Sequence, residues 1–147
     1  MKPLSFIIIG SGWRAMFFVR IAKRFPELFR LKYVLCRSLE KAEQISREQG
    51  VVTTISAEAC EAANPDFVVI AVSSQNEYEV TRQWALKGFL VLCETPAGMN
   101  VEQLSDLWNL KVNHGAKIQI AEQYHRYPLV AAGLKRIREG VLGEPYN

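Results

Sequence analysis

Leu4 to Ala15 reads L-S-F-I-I-I-G-S-G-W-R-A, a β-rich stretch that is apolar apart from Ser5, followed by a glycine loop and a helical pattern. A short apolar run bounded by glycine predicts a buried strand. In the G-x-G-x-x-A loop, Gly10 allows a tight turn, Gly12 lets backbone approach an anion with no Cβ in the way, and Ala15 permits close packing of helix on strand. Ser11, Trp13 and Arg14 complete the loop. The first amides of a helix have no intrahelical acceptor and sit at the positive end of its dipole, so a diphosphate held there would be bound. The alternative is a plain tight turn in which Trp13 and Arg14 only cover the helix start.

From this opening the same alternation continues along the chain. Trp13–Arg24 predicts a helix, Leu31–Cys36 a strand, Leu39–Gln49 a helix ended by Gly50, and Val51–Ile55 a weaker strand. A short helix over Ala57–Ala63 stops at Asn64 and Pro65. Phe67–Val72, F-V-V-I-A-V, is the continuous apolar run of a strand buried on both faces of a parallel sheet. A helix over Asn76–Lys87, a strand at Leu90–Cys93, a helix over Val101–Val112 and a strand at Lys117–Ala121 follow, and one more helix occupies Leu129–Glu139. Strands and helices joined by short connections predict βαβ units in a doubly wound parallel sheet, a Rossmann fold in three α/β/α layers. Residues 1–122 form this dinucleotide-binding domain. Residues 123–147 are read as a connecting helix and the start of a truncated C-terminal substrate domain, since G-V-L-G-E-P from Gly140 leads to where another strand is due.

Composition narrows the function classes. With 49% hydrophobic and 22% charged residues, the chain is an ordinary globular one, which excludes disordered and fibrous classes. The net charge of +3 is spread out, and its densest cluster, Lys135, Arg136 and Arg138, reads as a solvated helix face, so no nucleic-acid partner is expected. The apolar run Phe6–Ile9 is too short for a signal peptide core or a membrane span. Cys36, Cys60 and Cys93 have neither metal-site nor disulfide spacing and read as reduced core cysteines of a cytoplasmic protein with no bound metal. No G-x-x-x-x-G-K-[ST] occurs, which removes the P-loop.

The tip of the second strand bears on which dinucleotide binds. An NAD site commonly places Asp or Glu there for the adenosine ribose hydroxyls, whereas this chain has Cys36, Arg37 and Ser38. A guanidinium pairs in bidentate fashion with a 2′-phosphate and a hydroxyl donates to it, so Arg37 and Ser38 favour NADP over NAD. Ser38 equally reads as the N-cap of the following helix, and Arg37 as a plane stacked on adenine.

Ligands of open α/β sheets lie beyond the carboxyl ends of the strands. There the chain has S-S-Q-N, with Ser73, Ser74 and Asn76, and C-E-T-P, with Glu94, Thr95 and Pro96; either turn alone would serve as a helix cap. With the glycine loop, Q-Y-H-R-Y-P at Gln123–Pro128 and the closing G-V-L-G-E-P, they appear in one order. That set resembles the Gfo/Idh/MocA oxidoreductases across nearly the whole chain, S-S-Q-N standing for the family's T-P-N turn and E-T-P for its E-K-P motif. The resemblance implies an NAD(P)-binding domain of an enzyme that moves a hydride between nicotinamide and a hydroxyl or carbonyl substrate, by analogy a sugar or polyol, with the substrate domain needed for turnover.

Two departures matter. Thr95 stands where the family has a lysine, and threonine can hydrogen-bond but cannot supply a charge. The histidine of the family's helix after T-P-N is missing, with Glu79 at about its place. Glu94 remains as an orienting group, and Pro96 can set a cis or otherwise tight turn. His125 is a candidate acid or base that needs a partner group from elsewhere. His114, at a helix end, is explained by the dipole. The lost lysine also supports a different reading, a non-catalytic NAD(P) sensor. An unpaired sheet edge or exposed apolar surface offers a route to homo-oligomers.

Overall fold

The computed structural model describes residues 2–141 and Gly143. Its elements are β1 (Leu4–Ile9), α1 (Trp13–Arg24), β2 (Phe29–Leu35), α2 (Leu39–Gln49), β3 (Thr53–Thr54), α3 (Ala57–Ala62), β4 (Phe67–Ile70), α4 (Ser74–Leu86), β5 (Val91–Cys93), α5 (Val101–Asn113), β6 (Ile118–Ile120), a 3₁₀ turn (Tyr124–Arg126) and α6 (Pro128–Arg138). The strands pair in the order β3-β2-β1-β4-β5-β6, every pair parallel. This is the strand order of a dinucleotide-binding Rossmann sheet, and it reverses direction between β1 and β4.

Alternate residues of the central strands feed two cores, one on each face. Phe6 and Ile8 of β1 meet Val34 of β2 and Val69 of β4 under Ala15, Val19 and Ala22 of α1 and Ala42 and Ile45 of α2. Ile7 and Ile9 meet Val68, Ile70, Val91 and Ile118 under Trp84 and Ala85 of α4 and Leu107 and Leu110 of α5. The predicted three-layer architecture is therefore what forms. The sheet tapers at both sides, to the two residues of β3 and the three of β6.

Some boundaries move. β2 runs over Phe29–Leu35 rather than Leu31–Cys36, because Phe29 is already in register with Leu4 of β1. Only Thr53 and Thr54 of the predicted Val51–Ile55 strand pair with β2. β4 stops at Ile70, short of the predicted Val72. α4 begins at Ser74, two residues before the predicted start, since Ser73 takes the extended N-cap conformation. α6 presents its residues to solvent throughout, including Leu129, Val130 and Ile137. Leu142, Glu144 and Pro145 of the closing G-V-L-G-E-P segment lie outside the described residues.

Candidate functional site at the strand crossover

The site is built where β1 and β4 diverge. Gly10 has φ +119°, a conformation open to glycine and rarely to other residues. Its amide donates to the Leu35 carbonyl oxygen at 3.1 Å, tying the loop to the end of β2. A Cβ on Gly10 would stand 2.2 Å from the Ala71 carbonyl oxygen, so the loop is pressed against the chain leaving β4.

Gly12 differs: it is the extended N-cap of α1, and a Cβ there would meet nothing within 4 Å. No side chain caps α1 and its first turn holds no acid, whereas Ser38, Ser56 and Asn100 cap α2, α3 and α5. An uncapped helix start behind an open glycine is a cradle for an anion that approaches backbone closely, and these residues fit the diphosphate of a dinucleotide. Ala15 is fully buried against the sheet, in keeping with its role as the packing residue of the loop.

Trp13 is 69% exposed, and the Arg14 guanidinium lies 4.6 Å from its ring centroid. Arg14 then reaches across to Glu94, with Nε 3.4 Å from Oε2. The glycine loop and the E-T-P turn after β5 are thus joined by an ion pair. Partly exposed on the Arg14 side, the pair is worth under about 1 kcal/mol, and it links the two turns.

At the tip of β2, Ser38 caps α2, its Oγ accepting from the Lys41 amide at 3.3 Å. The hydroxyl proton is not used in that bond. Arg37 is exposed beside it, and burial pushes the neighbouring Cys36 thiol up. Cys36, Cys60 and Cys93 are all buried.

Beyond β4, Ser74 and Asn76 stand in the first turn of α4 rather than in a loop. Asn76 Nδ2 donates to Ser73 Oγ at 2.9 Å, and both residues are exposed. Beyond β5, Glu94 is buried, Thr95 is exposed, and the Thr95–Pro96 bond is cis. His125 lies on the 3₁₀ turn, exposed to solvent. Among the described residues no group of three or more His, Cys, Asp or Glu could hold a metal ion, and no helix is long and apolar enough to cross a membrane.

The residue that sequence reasoning missed is Glu77. Glu79 is exposed; Glu77 is the acid that turns inward, only 2% exposed. Its Oε2 accepts from the Val72 amide at 3.1 Å and its Oε1 from the Glu94 amide at 3.0 Å, while the Cys93 thiol lies 3.5 Å from Oε1. Burial pushes its carboxyl up to about 7, against the pull of these three donors. The signal was a stripe: Glu77, Thr81, Trp84 and Ala85 are the buried residues of α4, at helical spacing.

A stability consequence follows from that raised value. The folded chain keeps a proton on Glu77 that the unfolded chain releases at its ordinary value of 4.5, so stability falls as pH rises from 4.5 to about 7. Urea midpoints measured across that window should decline, and E77Q should flatten Glu77's share of the slope. An unchanged slope in E77Q would show that the carboxyl titrates at its ordinary value.

A family model described as "Oxidoreductase family, NAD-binding Rossmann fold", that of GFO_IDH_MocA, matches residues 4–122. No curated protein matches the sequence. Among solved structures, the chain is similar to the WlbA dehydrogenase of Bordetella pertussis in complex with NADH and UDP-GlcNAcA, at 18% identity and TM-score 0.87, covering 99% of this chain and 45% of that one. It is similar to myo-inositol 2-dehydrogenase of Lactobacillus plantarum, at 20% identity and TM-score 0.83, covering 97% and 43%. It also resembles an oxidoreductase of Agrobacterium radiobacter in complex with NAD+, L-tartaric acid and magnesium, at 18% identity and TM-score 0.79, covering 99% and 43%. The chain therefore spans less than half the length of these structures. The match over residues 4–122 places this chain in the Gfo/Idh/MocA oxidoreductase family, with that family's NAD-binding Rossmann fold.

Proposed function

We propose that the chain holds the dinucleotide of an oxidoreductase that transfers hydride between nicotinamide and a hydroxyl or carbonyl substrate of sugar or polyol type. The observation that carries this reading is the open Gly12 position at the uncapped start of α1, set beside the β1/β4 crossover. The similar structures bound to NADH with UDP-GlcNAcA, or named for myo-inositol, support the substrate class. In this reading residues 1–122 bind the cofactor and residues 123–147 lead toward the substrate domain.

Nicotinamide, when bound, supplies the hydride chemistry. The chain's part is to hold and orient. Amides of the Gly10–Ala15 loop take the diphosphate, and Ser73, Ser74, Asn76 and Glu94 border the nicotinamide side. In this reading the exposed Thr95 hydroxyl hydrogen-bonds a substrate oxygen but brings no charge. His125 would act as acid or base only alongside a group from the substrate domain.

We assign a preference for NADP over NAD to Arg37 and Ser38. Arg37 is exposed at the tip of β2, and the Ser38 hydroxyl proton remains free to donate to a 2′-phosphate. Titration with NADPH and NADH side by side tests both cofactor claims. Arg37→Asp should weaken NADPH roughly 10–100-fold, the weight of one or two charge-assisted hydrogen bonds, and leave NADH within about threefold. Equal losses for both would end the 2′-phosphate assignment, and no binding of either would end the dinucleotide reading.

Thr95 favours one second reading, an NAD(P)-sensing protein that kept the pocket without the chemistry. Oxidation or reduction of any hydroxyl or carbonyl compound by full-length protein with native Thr95 excludes it.

A further inference from the structure

The two turns that frame the nicotinamide side come from different strands, β4 and β5, and one buried side chain holds both. Glu77 accepts the Val72 amide with one carboxylate oxygen and the Glu94 amide with the other. Val72 precedes the Ser73 cap of α4, and Glu94 opens the E-T-P turn. We propose that Glu77 is a positioning residue for the cofactor site, its carboxylate clamping these two amides so that the turns after β4 and β5 keep the spacing the nicotinamide half requires. This rests on the dinucleotide reading above.

The chemistry of the pocket favours such a role. Both oxygens of a carboxylate accept, so the ionised group satisfies two backbone donors at once; a protonated carboxyl gives up part of one acceptor. The titratable groups facing Glu77 are Cys93 and Glu94, both from β5 and its turn. The Cys93 thiol is pushed up to about 12, chiefly by burial, and so stays a donor. Glu94 carries its side chain away from Glu77 toward Arg14, the cation on the other side of the turn. With Glu77 at about 7, the clamp changes strength across neutral pH.

The test needs no turnover. Amide resonances of Val72 and Glu94 are followed by NMR from about pH 5.5 to about pH 8.5, a range bracketing that carboxyl, in wild type and E77Q. NADH affinity is measured over the same range. NADH is the better probe because the 2′-phosphate of NADPH, a monoester, itself titrates near about 6. In wild type the two amides should shift with one shared midpoint, and NADH should bind about fivefold tighter at the alkaline end, the weight of one modest hydrogen bond. In E77Q the shared midpoint should vanish and affinity should be weak and flat.

Amides that stay still or move with separate midpoints in wild type would overturn the proposal, as would an unchanged pH dependence of NADH binding in E77Q. Binding that ignores pH in wild type overturns the clamp alone. Absence of NADH binding at every pH in both proteins overturns the dinucleotide reading on which it rests. If E77Q does not fold, the wild-type amide titration decides.

Discussion

Gly10→Ala should unfold the protein well below the melting temperature of wild type. Two costs add. At φ +119° an L side chain is strained by about 1–3 kcal/mol. The new methyl group would also stand 2.2 Å from the Ala71 carbonyl oxygen and 2.7 Å from its carbon, both backbone atoms of the chain leaving β4. Backbone cannot rotate aside as a side chain can, so crowding adds about 1–3 kcal/mol more. A total of about 2–6 kcal/mol corresponds to roughly 6–24 °C for a chain of this size. Thermal unfolding followed by circular dichroism checks it. A melting temperature within a few degrees of wild type would show that β1 and β4 are not pressed together at this point.

Gly12→Ala should do the opposite, leaving stability alone while damaging binding. Its φ of −81° suits alanine, and the new methyl group would meet nothing within 4 Å. Alanine restricts the unfolded chain but caps a helix less well than glycine, two small opposing effects, so stability changes by under about 1 kcal/mol. The open space is where a diphosphate would lie against backbone, so the same methyl should weaken NADH roughly 10–100-fold, about 1.4–2.8 kcal/mol. Melts and NADH titrations of the two variants side by side separate a structural glycine from a binding one. Unchanged affinity in G12A would place the diphosphate elsewhere.

The contrast between these glycines also marks what could be read from the sequence. β1, α1 and α2 begin and end where the pattern predicts, because their boundaries are chemical: Gly10 and Gly12 before α1, the Ser38 cap and left-handed Gly50 around α2. Which glycine was needed for folding and which for access was not legible, since that depends on Ala71, 61 residues further on. α4 starts ahead of the predicted Asn76 because Ser73 takes the extended N-cap conformation, and it does so with no side-chain capping bond that local chemistry would have announced. Strand ends drifted for a similar reason, as pairing partners rather than local preference decide them.

For the site, the loop residues were legible and their connections were not. Arg14 was a candidate for the cofactor; that it pairs with Glu94 follows from β5 lying two strands from β1. Glu77 and Glu79 look alike in Q-N-E-Y-E, yet two positions along a helix are about 200° of rotation, which puts Glu77 inside and leaves Glu79 outside. A carboxylate among Thr81, Trp84 and Ala85 was the available clue, and it pointed to the interior rather than to solvent.

The tapering of the sheet has a consequence for assembly. With two residues paired in β3 and three in β6, the outer margins expose few unmatched amides and carbonyls, too few to template a further strand from another molecule. Among the described residues, this sheet offers a second copy little ribbon to extend.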